Sequence, residues 1–535
     1  VGERNGGDVV VETLTALGVS RVFGIPGQHA LGLFDAIRRS DLEFVSSRVE
    51  NNSVFEADGY TRASGEVGVV FLSTGPGALT ALGALQEAYA TGVPLLVITS
   101  QVPRAGLGQR KGMLHQLDAQ QRSATNVTKS TAVAREAAEI PSLLADAWAL
   151  AVSAPAGPTW VEIPQDVLLE STHVPPVTSV ITHVADRPAR HELIDEAAAL
   201  LDGATRPVIV AGGGVRRSPG GPEALVALAE LVDAPVVSTV GGKGSIDFDH
   251  PLSAASWIED RYTTELMEQA DVLLAIGTSF GEVTSNYFTF QPQGRIIHID
   301  AEPRVLEANH PALGIHADAA TALQALGKAV TPKRRHGADA AAVLRKSVQA
   351  RLSEQDLELE QNLIQDLRAA VPSHTHTFWD MTIAGYWAWS AWDPQGGGFH
   401  SAQGAGGLGF AYPAALGAAI GSGARTFAVS GDGGAMYSIA ELATAQQHDA
   451  AVTWLIVDDG GYGILREYMT DTFGQATATE LARPDFVALA ASFGIPAYAA
   501  TPETVGNIIA ETFTRAGPAV VVLPALLRMF APTHA

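Results

Sequence analysis

The sequence predicts an α/β protein of three Rossmann-like domains, each a parallel sheet flanked by helices. Three observations carry this. Strand-like and helix-like segments alternate along almost the whole chain, the order that builds parallel sheets. The run Val67 to Leu72 is almost wholly apolar, the mark of a sheet buried on both faces. The chain has 535 residues and 47 % hydrophobic content. That is too much for one core and suggests roughly three domains of about 180 residues.

The first block, residues 1–178, has helical periodicity from Val9 to Leu17 and a short strand at Val22-Phe23. Gly24-Ile25-Pro26-Gly27 is the loop at its end. Leu31 to Ile37 continues as helix, Phe44 to Ser47 as strand, and Glu50 to Ala63 as a helix with small residues. The strand Val67 to Leu72 closes on Thr74-Gly75-Pro76-Gly77. A helix from Ala78 to Tyr89 and a strand from Pro94 to Thr99 follow. The second block, residues 187–331, places strands at 206–211, 235–239, 272–276 and 295–300. Gly212-Gly213-Gly214 follows the first of these. The three-glycine turn and the strand-end Asp300 invite a dinucleotide reading. GxGxxG is absent, however, and Asp300 stands far beyond the usual ribose-binding distance. A structural middle domain is expected. Residues 332–366 read as a charged, helical linker on the surface, without apolar periodicity for a core. The third block, residues 367–535, holds the most informative stretch.

That stretch runs from Gly431 to Gly463. The apolar run Thr426 to Ser430 reads as a strand and leads into Gly431-Asp432-Gly433-Gly434, with a helix expected from about Ser438. A second strand, Val452 to Val457, delivers Asp458 and Asp459 into a glycine-rich turn. Successive parallel strands end on one edge of a sheet, where ligands of α/β proteins sit. Asp432 and Asp459 are therefore expected to meet across 27 positions of sequence. Oxygen ligands beside a tight glycine turn and a helix start suit Mg²⁺ and a phosphate group. Solvated acids at a strand end are the plain alternative.

Composition narrows the partners. The formal charge is −23, from 57 acidic and 34 basic side chains, with no lysine- or arginine-dense patch. Nucleic-acid binding is not expected. Cysteine is absent, which excludes disulfides and thiolate chemistry. No stretch of about 20 apolar residues offers a membrane span, and no signal-like segment is read ahead of the first block. Cytoplasm is the expected location.

The Gly-Asp-Gly triplet followed by a paired residue near position 459 resembles the diphosphate-binding motif of thiamine-diphosphate-dependent enzymes. That family usually has Asn-Asn where this chain has Asp458-Asp459. The resemblance implies thiamine diphosphate and Mg²⁺ as cofactors. It places the metal on Asp432, Asp459 and the carbonyl of Gly461. Ser430, Gly431, Gly433 and Gly434 would then face the diphosphate. Glu50, followed by Ala57-Asp58-Gly59-Tyr60-Thr61-Arg62, is close to the family's catalytic glutamate and its helix. The resemblance makes Glu50 the proton partner of the aminopyrimidine; by itself the residue reads as a helix-starting glutamate. The loops holding Gly27 and Thr74, Gly75 and Gly77 would approach the pocket. His29 stands where benzaldehyde lyase has a histidine, suited to proton relay near neutral pH; a solvated or capping histidine is the alternative. His115 or Gln116 would contact substrate, the alternative being a loop at a subunit contact. Gly407 and Leu408 resemble the benzoylformate decarboxylase segment beneath the cofactor. Ile464 and Leu465 resemble its apolar wall, whereas that enzyme's two pocket histidines have no evident counterpart.

The resemblance covers essentially the whole chain. It implies a pyrimidine-binding, a central and a diphosphate-binding domain, and a homodimer or homotetramer with active sites at the subunit interface. The implied function is non-oxidative decarboxylation or carboligation through a C2 ylide and an enamine. The expected substrate is a modestly sized hydrophobic 2-oxo acid or an aldehyde. An acetolactate-synthase-like enzyme condensing pyruvate and a non-catalytic assembly protein are the alternatives.

Overall fold

Runs of Val, Ile and Leu form three sheets in which every strand pair is parallel. The computed structural model describes residues 4–184 and 187–531. The ends of the first and third blocks, residues 1–3 and 532–535, lie outside the described residues. Numbered along the chain within each sheet, the first and third sheets share the strand order 2-1-3-4-6-5, and the second runs 2-1-3-4-5. In such sheets the crevice lies where neighbouring strands send their connections to opposite faces, here between strands 1 and 3. In the first sheet those strands are Arg21–Gly24 and Gly68–Leu72; in the third they are Thr377–Trp379 and Thr426–Gly431. The glycine loops singled out in the sequence stand at these two points.

The first and third sheets share an apolar core. Helix Glu50–Ser64 crosses helix Ala411–Ser422 so closely that a Cβ on Gly59 would overlap the Ala414 carbonyl. A Cβ on Gly417 would likewise overlap the Glu56 carbonyl. The small residues of both helices are there to let the backbones meet.

Three expectations are corrected. The helix expected over Ala78 to Tyr89 is two, Pro76–Thr80 and Leu82–Thr91. Asn51 Oδ1 accepts the Ala84 amide at 3.0 Å and so caps the second one from outside. The helix expected near Ser438 begins at Asp432. It accommodates two glycines because a Cβ on Gly433 would stand 2.7 Å from Tyr462, and one on Gly434 2.9 Å from Asp380. The supposed surface linker over residues 332–366 is core. Helix Gly337–Ser353 buries Ala341, Leu344, Val348 and Leu352, a 3–4 spaced stripe, and helix Glu358–Ala370 buries Leu363, Ile364 and Leu367. Both stripes join the core around Trp387, Trp392 and Phe427. Charges set between the buried residues had masked the period.

Candidate active site

The third sheet brings Asp432, Asp459 and the Gly461 carbonyl together. Asp432 is the first residue of helix Asp432–Ser438, directly after its strand. Its side chain is buried and neither carboxylate oxygen has a hydrogen-bond partner. A buried carboxylate without donors is expensive, and here burial, then Asp459, then Asp458 push its pKa up to about 6. A Cβ on Gly433 would stand 3.3 Å from the Gly461 carbonyl oxygen, so that carbonyl faces the start of the same helix. Asp459 also titrates above the usual range, raised by burial, although Arg466 lies 3.4 Å from its Oδ1. A bound cation would add counter-charge to that of Arg466 and Arg483. Two carboxylates and a carbonyl form the hard oxygen set that Mg²⁺ prefers, so the residues present fit the metal. Gly431 and Gly434 bound the same cradle, Gly431 beside the Thr382 methyl and Gly434 beside Asp380.

The two acids at 458 and 459 are each matched by an arginine. Arg483 Nε is 2.7 Å from Asp458 Oδ1 and 3.7 Å from Asp432 Oδ2. Arg466 contacts the Asp459 carbonyl at 3.1 Å as well as its carboxylate. Neither arginine was singled out in the sequence, because pairings across a fold leave no local signal. Asp380 was missed too. It is fully buried, raised to about 6 by burial, and accepts the Ala411 amide at 2.9 Å. A strand ending on an acid was its signal.

Ser430 is corrected. Its hydroxyl accepts the Trp454 indole N–H at 3.0 Å and lies wholly buried, so it points into the core rather than toward a diphosphate. Leu408 stands 39 % exposed on its loop, whereas Gly407 backs onto Phe55. Ile464 is half-buried against the third domain's core. Leu465 beside it is exposed.

The first sheet gathers the other half. Glu50 starts helix Glu50–Ser64, and a Cβ on Gly77 would stand 3.2 Å from its Oε1. Gly27 lies against Ser73. Thr74 is buried and shares a 3.0 Å hydrogen bond with Ser100. Gly75 adopts φ +67°, and a side chain there would collide with the His115 carbonyl. His29 and His115 meet edge to face with ring centroids 5.6 Å apart. Burial, then His115, lowers the His29 pKa, and its Nδ1 has no partner. Neutral His29 is therefore the form at pH 7.

Gln116 is the second correction. Its amide donates to the Gly106 and Gln109 carbonyls at 2.9 and 2.7 Å and accepts the Met113 amide at 3.0 Å, so it fastens its own loop. The glutamine that reaches the pocket loop is Gln120. It is buried, accepts the Gly75 amide at 2.8 Å and donates to Glu162 at 3.2 Å.

With this geometry in view, comparisons with known proteins agree along the chain. Residues 4–122 match the thiamine pyrophosphate enzyme N-terminal binding domain, 194–326 the central domain and 380–523 the C-terminal binding domain. A probable 2-ketoarginine decarboxylase of Pseudomonas aeruginosa is 34 % identical over 500 residues, covering 91 % of this chain and 88 % of that protein. A probable acetolactate synthase large subunit of Methanocaldococcus jannaschii is 30 % identical over 516 residues, covering 92 % and 87 %. An acetolactate synthase large subunit of Escherichia coli is 28 % identical over 511 residues, covering 92 % and 90 %.

The chain belongs to the thiamine pyrophosphate enzyme family. It is an enzyme of the thiamine-diphosphate-dependent decarboxylase and carboligase class, with Mg²⁺ accompanying the diphosphate. Among the described residues no helix is long and apolar enough to cross a membrane.

Proposed function

We propose that this protein decarboxylates a 2-oxo acid, releasing CO₂ and either an aldehyde or, with an acceptor aldehyde, a 2-hydroxy ketone. Its active site would lie between two chains of a homodimer or a dimer of dimers. The observation that carries the reading is the buried Asp432 carboxylate, without a hydrogen-bond donor on either oxygen, beside Asp459 and the Gly461 carbonyl. Thiamine diphosphate, when bound, supplies the electron sink that lets CO₂ leave. Asp432, Asp459 and Gly461 would hold its metal. Leu408 would support it from below, and Glu50 would hold a proton against its aminopyrimidine ring. Ile464 and Leu465 exclude water from the reacting carbon and offer it no acid. Neutral His29, with an open Nδ1, accepts or returns a proton near pH 7.

Exposed apolar side chains support the two-chain site. Leu31, Leu79 and Leu114 stand on the first domain's pocket elements. Leu408, Met436, Tyr437 and Leu465 stand on the third domain's. Exposed apolar residues on the rims of both half-sites fit a contact surface. The names of the synthase relatives favour a second reading, condensation of pyruvate to acetolactate. One experiment separates the two. The Mg²⁺–thiamine diphosphate enzyme is given pyruvate, branched, aryl and longer 2-oxo acids, and benzaldehyde, with and without an acceptor aldehyde. CO₂ and chiral products are followed together. Aldehyde or hydroxy ketone from a longer 2-oxo acid supports decarboxylation. Acetolactate from pyruvate alone supports the synthase reading. No product from any donor, with cofactor demonstrably bound, rejects both.

A further inference from the structure

Helix Glu50–Ser64 starts without a cap of its own. Val49 holds the capping position in extended conformation, with φ −140° and ψ 133°, and its side chain makes no capping hydrogen bond. In a capping box the third helical residue would reach back to accept the Val49 amide. Here that residue is Asn52, and the acceptor comes from the third domain instead. Glu441 ends the turn Ile439–Glu441 and is wholly buried. Its Oε1 accepts the Arg48 amide at 3.0 Å, the Val49 amide at 3.2 Å and Asn52 Nδ2 at 3.0 Å. Its Oε2 accepts the Thr444 hydroxyl at 2.6 Å. One carboxylate thus fastens the chain at Arg48 and Val49, before Glu50, and at Asn52, after it. The Arg48 side chain adds a 2.7 Å bond to Gln447 Oε1, again in the third domain.

A second carboxyl stands beside it. Glu56, further along helix Glu50–Ser64, is wholly buried. Ser47 donates to its Oε2 at 2.6 Å, its Oε1 meets no donor, and the carboxyl pairs with that of Glu441. Glu441 accepts at each of its other contacts, so Glu56 is the member that carries a proton and donates. Burial, then Glu441, raises the Glu56 pKa well above the usual carboxyl range, against Ser47 and Arg48. The Tyr412 hydroxyl faces the pair from helix Ala411–Ser422. It has no hydrogen-bond partner and titrates above its usual range through burial, then Glu441, then Glu56. The remaining polar neighbours, Asn52 and Thr444, are neutral. The helix crossing keeps the pair in place, because the Glu56 carbonyl leaves no room for a side chain on Gly417.

We propose that Glu441 and Glu56 are positioning residues for Glu50. Glu441 holds the chain on both sides of it, and protonated Glu56 lets two carboxyls stand together at that point. This role rests on Glu50 as the proton partner of the aminopyrimidine. Ionised Glu56 would set a like charge against Glu441 at the entry to the helix. A displacement of about 1 Å at a reacting group can cost about 10²-fold in rate. A folded pKa above the unfolded one means a contribution that is present in acid and lost as pH rises through the folded value. The clasp on Glu50 therefore loosens on the alkaline side.

The test uses the Mg²⁺–thiamine diphosphate enzyme, C2 hydrogen exchange of the bound cofactor by quenched-flow NMR, and cofactor Kd by calorimetric titration. Glu441→Ala should slow exchange about 10- to 100-fold per bound cofactor while Kd changes less than about 3-fold. Glu441→Gln, which keeps one acceptor oxygen, should recover part of that loss. From about pH 6 to about pH 9, exchange in wild type should fall relative to Glu56→Gln, whose amide donates at every pH. Exchange at the parental rate in Glu441→Ala, a loss that only tracks cofactor binding, or no recovery in Glu441→Gln overturns the role of Glu441. Parallel pH profiles of wild type and Glu56→Gln overturn that of Glu56, and they decide the matter where Glu441→Ala does not fold. Glu50→Gln is the control. Slow exchange there beside parental exchange in the other variants removes the two positioning roles alone. Parental exchange in Glu50→Gln removes the Glu50 role and the positioning roles with it.

Discussion

Replacing Asp432 with asparagine separates what this residue costs the metal-free fold from what it contributes once the cofactor binds. The carboxyl is buried, lacks donors on both oxygens and titrates near 6 because of burial and its two aspartate neighbours. A folded value above the unfolded 3.8 means stability that is present in acid and lost as pH rises through about 6. At pH 8 the full displacement, which already includes the lowering by Arg483, corresponds to about 3 kcal/mol, and solvent screening brings the net cost to about 1–3 kcal/mol. Asparagine carries no such cost. The metal-free Asp432→Asn protein should therefore melt higher than wild type at pH 8, by about 2–8 °C for a domain of this size. The two should converge toward pH 4. Cofactor reverses the order. Mg²⁺ and thiamine diphosphate at 100 times their Kd should stabilise wild type by about 2.7 kcal/mol, and the variant should lose most of that gain. Differential scanning calorimetry at pH 5 and pH 8, with and without cofactor, reads both effects. A metal-free variant that melts lower than wild type at pH 8, or one that keeps the full cofactor shift, would refute the reasoning.

Asp459→Asn should be mild, changing Mg²⁺-dependent cofactor affinity less than about 10-fold, because an oxygen remains and Arg466 only partly offsets the charge; calorimetric titration checks it. Glu50→Gln should bind cofactor yet lose turnover by about 10² or more, the scale of a positioned proton partner. Exchange of the cofactor's C2 hydrogen, followed by quenched-flow NMR, should slow with it, and exchange at the parental rate would remove the role. Glu87 accepts the Gly404 and Ala405 amides at 3.0 and 2.7 Å and so anchors the loop that carries Leu408. Burial, opposed by Arg62, raises its pKa from 4.5 to about 7. Its contribution is therefore complete below pH 4.5 and lost as pH rises through about 7. Between pH 4.5 and 8 wild type should lose about 3 kcal/mol more than Glu87→Gln, and equal pH profiles of melting would contradict this.

The sequence showed most clearly what is local and repeated. Strand, glycine turn and acid occur together at Gly431-Asp432 and again at Asp458-Asp459, and parallel topology alone predicts that they meet. The shared strand order of the first and third sheets had no such signature, because strand neighbours are chosen by long-range packing. Gln116 and Gln120 are four residues apart, Gln116 in a turn and Gln120 at the start of helix Gln120–Ala124 with its side chain in the core, a distinction that composition does not hold. Arg483 and Arg466 were invisible for the same reason, although the doubled acid at 458 and 459 implied that counter-charge had to come from somewhere. The buried stripe of helix Gly337–Ser353 was hidden by the charges set between its members, Arg345 and Arg351, which bond to the Ser253 carbonyl and to buried Asp260, and by exposed Lys346.

Subunit mixing tests most directly whether one active site is built from two chains. Glu50→Gln and Asp432→Ala each disable one half-site, and each homodimer should be inactive. Mixed in equal amounts and allowed to exchange, half of the dimers become hybrids with one site that has both residues intact. CO₂ release should then recover to roughly a quarter of the wild-type rate, as two-fold symmetry requires. Hybrid dimers demonstrated by native mass spectrometry but without recovered activity would place Glu50 and Asp432 in the same chain's site and contradict the account.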